Sequence, residues 1–88
     1  MFYNKKKKIL EILLDRFSSL ILSEDIINCK ELLSNREYSL CYNTLVTQIY
    51  EYDQEITQED YNLFESSAKK LNLDLSEYEL LKELIRDR

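Results

Sequence analysis

The chain contains no glycine, no proline, no histidine and no tryptophan. Average proteins carry roughly 7% glycine and 5% proline, so these absences exclude specific structures. Two-residue hairpins of the Asn-Gly or Asp-Gly kind cannot be built. Gly-rich phosphate loops and dinucleotide fingerprints are ruled out. Without histidine the usual general base near neutral pH is missing, and the Ser-His and Cys-His nucleophile pairs go with it. The two cysteines, Cys29 and Cys41, are too few for a disulfide framework, and zinc sites normally recruit histidine or several cysteines. Both cysteines read as small buried hydrophobes in a reduced, cytoplasmic protein. No stretch approaches the ~18 apolar residues of a membrane span. Lys5 to Lys8 followed by Ile9-Leu10 imitates the start of a signal peptide. Glu11, Asp15 and Arg16 break the apolar run, however, and no small-residue cleavage site follows.

What remains is 88 residues, enough for one domain, 1–88, built on a single layer of packed elements. Helices joined by short polar turns need neither glycine nor proline, and the apolar spacing predicts an all-α bundle of about five short helices. The first runs from about Lys5 to Leu22, with Ile9, Leu10, Leu13, Leu14, Phe17, Leu20 and Ile21 on one face. Ser23 is expected to cap the second, with Leu22 and Ile27 as a hydrophobic staple. Asn35 is the expected left-handed stop. The third runs from about Glu37 to Tyr52, with Tyr38, Cys41, Tyr42, Leu45, Ile49 and Tyr52 in one arc and Leu40 pointing away. Thr57 caps the fourth, with Ile56 and Tyr61 at the staple positions. Tyr61, Phe64, Ala68 and Leu71 form its buried stripe, and Asn72 its left-handed stop. For the fifth, Asp74 with Glu77 and Ser76 with Glu79 are competing capping boxes, followed by Leu80 or Leu81, Leu84 and Ile85.

The net charge of −5 is unevenly spread. Residues 1–36 carry +2 and residues 69–88 are neutral, whereas Glu37 to Ala68 holds seven acids and no Lys or Arg. Five of those acids, Glu51, Asp53, Glu55, Glu59 and Asp60, fall within ten residues, with Tyr50, Tyr52 and Tyr61 among or beside them. Negative charge at the end of the third helix opposes the helix dipole, so it is not placed there for the fold. Glu59 and Asp60, at the start of the fourth, do support it. Tyrosine supplies rigid contact area and is enriched in interface cores. The expected interface is therefore Tyr50, Glu51, Tyr52, Asp53, Glu55, Glu59 and Asp60, facing a basic protein. The bland alternative is a solvated acidic loop, with Tyr52 and Tyr61 as core residues whose hydroxyls reach the rim.

Direct nucleic-acid binding needs a basic stripe, and the single basic cluster is Lys5 to Lys8. Calcium loops want a Gly at the sharp turn and a regular ligand spacing, both missing here. No metal, cofactor or catalytic residue is therefore expected. Carboxylate-only catalysis would need a deep pocket, for which so small a bundle has little room. A helical adaptor or regulator with a different basic protein partner is the main competing reading.

Several stretches carry a family resemblance: Glu31-Leu32-Leu33, Glu37-Tyr38, the run from Leu45 to Asp53, Ile56-Thr57-Gln58-Glu59-Asp60-Tyr61, and Ala68 to Leu73. Their order, a helix ending in a tyrosine–acid motif, an Ile-Ser/Thr cap and a following acidic helix with tyrosine, resembles the MafI/CdiI type of bacterial immunity protein. That family belongs to polymorphic-toxin and contact-dependent growth inhibition systems. The resemblance spans Glu31 to Ile85 and leaves the first helix outside. Asn35-Arg36 and Asn72 depart from it, standing where glycine is commoner, and Asn tolerates the same backbone shape. The resemblance implies neutralisation of the C-terminal domain of a cognate toxin, a nuclease, with EndoU-like ribonucleases associated with relatives of this type.

Overall fold

The computed structural model describes residues 4–86. Four α-helices, α1 (Lys5–Phe17), α2 (Ser23–Ser34), α3 (Tyr38–Glu51) and α4 (Gln58–Lys70), are joined by short turns. Three 3₁₀ segments complete the chain, at Ser18–Leu20, Leu75–Glu77 and Glu79–Leu84. The described residues form an all-α bundle without a strand or sheet.

The apolar face expected of the first helix is the face that packs. Leu10, Leu13, Leu14, Phe17 and Ile21 are buried, and Ile9 and Leu20 lie against them. The α-helix itself ends sooner than expected, at Phe17. The Ser18 hydroxyl donates to the Asp15 carbonyl at 3.3 Å, a local bond that competes with helix continuation. The chain then tightens into a 3₁₀ turn and leaves it extended at Ile21.

The start of α2 is shifted by one residue from the sequence reading. Leu22, not Ser23, is the cap residue, and no side chain caps the helix. The Leu22 carbonyl accepts from the amides of Asp25 and Ile26 at 3.0 and 3.2 Å. Leu22 and Ile27, the expected staple, are 50% and 65% exposed. Their neighbours Ile21 and Ile26 take the inward positions instead. Magnitudes explain the shift: a serine cap contributes about 1 kcal/mol, whereas burying an isoleucine contributes about 1.5–3 kcal/mol.

Helices α2, α3 and α4 each end in a Schellman turn, in which the residue after the cap is left-handed. These residues are Arg36 (φ 61°), Asp53 (φ 49°) and Asn72 (φ 61°). Amides donate back from Glu37 to Leu32, from Gln54 to Ile49 and from Leu73 to Ala68, at 2.9, 3.2 and 2.8 Å. Asn72 takes the role expected of it. At the end of α2 the left-handed residue is Arg36, while Asn35 is the cap with φ −90°. The position follows from where Leu32 and Leu33 must sit to reach the core. Arg36 there is costlier than Asn, because its side chain forms no offsetting local bond among the described residues.

At the centre, Phe17 of α1 stacks on Phe64 of α4 with centroids 4.7 Å apart, and Tyr42 of α3 meets Phe64 edge-on at 5.9 Å. The buried Tyr42 hydroxyl donates to the Phe64 carbonyl at 2.9 Å. Burial pushes its ionisation far above the ordinary phenol range. Cys29 and Cys41 are buried and free, the Cys29 thiol lying 3.9 Å from the Cys41 carbonyl oxygen. Tyr61 is buried with its ring tilted against Tyr78, so its hydroxyl does not reach the rim.

The expected fifth helix is two 3₁₀ segments, and neither candidate capping box forms. The buried residues there are Tyr78, Leu81 and Leu84, spaced by three. That spacing fits the three-residue turn of a 3₁₀ helix. The segment is fastened at its end by a parallel bridge between Ile56 and Ile85. Ile56 donates to the Leu84 carbonyl at 3.0 Å, and Arg86 donates to the Ile56 carbonyl at 2.8 Å. The loop before α4 is thereby fixed to the C-terminal segment.

Helices α1 and α3 run in the same direction. The Asn4 amide donates to the Tyr38 hydroxyl at 2.6 Å, joining their starts. At the other end, Tyr52 shares a cleft with Ser19, Leu20, Ile21 and Leu22, just beyond α1. The lysines of α1 and the acids ending α3 are therefore separated by about the length of the helices, roughly 20 Å.

Candidate functional site

Five of the seven residues expected at an interface follow one another through the last turn of α3 and its Schellman turn. Tyr50 and Glu51 close the helix, Tyr52 caps it, Asp53 is the left-handed residue, and Glu55 stands in the loop to Ile56. The α3 dipole presents its negative pole here, and no basic residue lies in its last turn. Tyr50 and Tyr52 are 37% and 39% exposed, and Glu51, Asp53 and Glu55 are exposed.

The two tyrosines point to opposite flanks, as residues two apart near a helix end must. On one flank the Tyr50 hydroxyl donates to Glu83 Oε1 at 3.3 Å. The charge of Glu83, the hydrogen bond itself, and the nearby Asp53 and Glu51 raise the phenol's ionisation above its ordinary value. On the other flank the Tyr52 hydroxyl donates to Asp25 Oδ2 at 3.1 Å. Partial desolvation, that bond, and the charges of Asp25 and Glu24 raise Tyr52 in the same way. Both tyrosines are neutral donors at pH 7. Each fixes one carboxylate in place and makes it a better-oriented acceptor.

Asp25, Glu24 and Glu83 were not among the expected site residues. Asp25 comes from the first turn of α2 and Glu83 from the last 3₁₀ segment, 27 and 33 residues from their tyrosines. No local pattern links them. Glu24 and Asp25 are visible as first-turn acids that favour α2, while nothing in the sequence connects Glu83 to Tyr50.

The two remaining residues lie elsewhere. Glu59 lines a separate cleft with Arg16, Asn62, Leu63 and Ser66. Asp60 is committed inside the fold: its side chain is 14% exposed and pairs with Arg16 at 2.8 Å. It also completes a capping box, accepting from the Thr57 amide at 2.9 Å while its own amide donates to the Thr57 hydroxyl at 3.0 Å. Partial burial works against its charge, but the Thr57 amide and the Arg16 guanidinium together hold its carboxyl below the ordinary range. Arg16–Asp60 is the one ion pair among the described residues. The carboxylates around Tyr50 and Tyr52 are paired with no cation there. Arg86, beside Asp53 and Glu55 in a shallow cleft, donates its guanidinium to the carbonyls of Glu83 and Ile85 instead.

The chain matches no protein-family model, no curated protein and no solved structure. The resemblance to the immunity family therefore rests on the residues quoted for it. Among the described residues, no group of three or more acids and cysteines is placed to hold a metal ion. No helix among them is long and apolar enough to cross a membrane. The arrangement places oriented carboxylate acceptors beside two partly exposed aromatic rings.

Proposed function

We propose that this chain is an immunity protein that binds and neutralises the C-terminal domain of a cognate bacterial toxin, a nuclease of the EndoU-like ribonuclease kind. The observation that carries the reading is the set of carboxylates about the end of α3: Glu83 and Asp25 bonded to Tyr50 and Tyr52, with Glu51, Asp53 and Glu55 exposed along the same turn, and no cation paired to them among the described residues. A fold gains little from like charges so placed, whereas a partner with a positive surface gains both speed of association and register. Nucleases that bind a polyanion present such a surface. Neutralisation follows when the acidic end covers the basic channel, by occupying it or by blocking its mouth.

Coexpression with the toxin encoded immediately upstream tests the proposal. The expected result is rescued growth and a tight purified complex; an active toxin that is neither bound nor neutralised overturns it. Within the complex, replacing Glu51 and Glu55 by lysine and Asp53 by asparagine is expected to slow association severalfold and to flatten its dependence on salt.

A further inference from the structure

We propose that the notch between the Ser19–Leu22 turn and Tyr52 receives an arginine side chain of the partner. The inference rests on the reading above that the partner is a basic protein, and it assigns one position on that partner. The notch is lined by Ser19, Leu20, Ile21, Leu22, Tyr52 and Gln54. Leu22 and Tyr52 are both substantially exposed, Leu22 because its neighbour Ile21 takes the inward position. Asp25 is not part of that lining but is bonded to its tyrosine. Its Oδ2 accepts the Tyr52 hydroxyl at 3.1 Å, and its Oδ1 has no hydrogen bond among the described residues.

These features select among side chains. A purely apolar group would cover Leu22 but offer nothing to the Asp25 carboxylate bonded to Tyr52. A lysine would bring a point charge with a strong hydration shell. An arginine lays its methylene stem on Leu20 and Leu22, spreads its planar guanidinium over the Tyr52 ring, and donates two hydrogen bonds to one carboxylate. The Tyr52–Asp25 bond holds the carboxylate ready, so less freedom is lost on binding. The negative pole ending α3 adds to the attraction, and Glu24 lies close enough to influence Tyr52.

The test needs no toxin. The full chain is titrated with N-acetyl-arginine amide, N-acetyl-lysine amide and N-acetyl-norleucine amide while its methyl, aromatic and carboxyl signals are followed by NMR. Saturating shifts in the millimolar range are expected for arginine, confined to Leu22, Tyr52 and Asp25. The affinity for arginine should exceed that for lysine about threefold or more, with no saturation by norleucine. Asp25→Asn should weaken arginine binding about fivefold or more, and Tyr52→Phe, which keeps the ring, by less. Equal affinity for arginine and lysine, or shifts spread evenly over Glu51, Asp53 and Glu55, would overturn the notch as an arginine site. Toxin neutralisation is read separately. Intact neutralisation without arginine binding removes the notch and leaves the function standing; arginine binding without neutralisation does the reverse.

Discussion

Helices α3 and α4 treat their charges in opposite ways. In α4 the first turn holds Glu59 and Asp60 and the last turn Lys69 and Lys70, so each end complements the dipole. In α3 the last turn has no basic residue and closes on Glu51, with Asp53 and Glu55 just beyond. Asp60 is partly buried, part of a capping box and paired; the acids ending α3 are exposed and paired with no cation among the described residues. The same residue types, within ten positions of sequence, serve the fold in one helix and work slightly against it in the other. An acidic run is thus informative only when divided by what each carboxylate touches.

The comparison can be broken most forcefully through the buried side of α4. Phe64→Ala removes the ring that stacks on Phe17 and meets Tyr42, and should cost about 3–5 kcal/mol in urea unfolding. Asp60→Ala loses both the capping box and the Arg16 pair and should cost about 1–2 kcal/mol. Because the folded state lowers the Asp60 pKa, that contribution is complete above the ordinary carboxylate range and is lost as pH falls through the folded value. The stability gap between the native chain and Asp60→Asn should therefore be constant from pH 7 to about 5 and narrow below about pH 4. A gap that widened in acid would contradict the pairing.

Helix ends offer a smaller test. Arg36 is left-handed with φ 61°, so Arg36→Gly should stabilise by roughly 0.5–1 kcal/mol, and Asn72→Gly by less. Smallest of all is Glu51→Lys. It should leave stability within about 0.5 kcal/mol of the native chain, on the favourable side, while slowing association with the toxin. A substitution that strengthens the fold and weakens binding would sharpen the contrast between α3 and α4 most directly.

The helix stripes, Thr57 as a cap and Asn72 as a stop were legible because each depends on residues within one turn of itself. Tyr50, Glu51, Tyr52, Asp53 and Glu55 were legible as a group because they fall within one short stretch and the charge bias is local. The start of α2 was misplaced because a serine cap and an isoleucine in the core compete, and the winner depends on a core formed by distant helices. The 3₁₀ winding of the last helical segment was not legible because it depends on tertiary packing, such as that of Tyr78 against Tyr61.

The sequence by itself determined an all-α chain with its negative charge concentrated near the junction of the third and fourth helices. Periodicity, caps and composition act over a few residues and need no other part of the molecule. Tertiary structure decided which of those charges are available. It brought Arg16 to Asp60 across 44 residues and withdrew that carboxylate. It also carried Asp25 and Glu83 to the two tyrosines. Such pairings arise when buried apolar faces lock the helices together, so that polar groups at their rims meet neighbours no local pattern names.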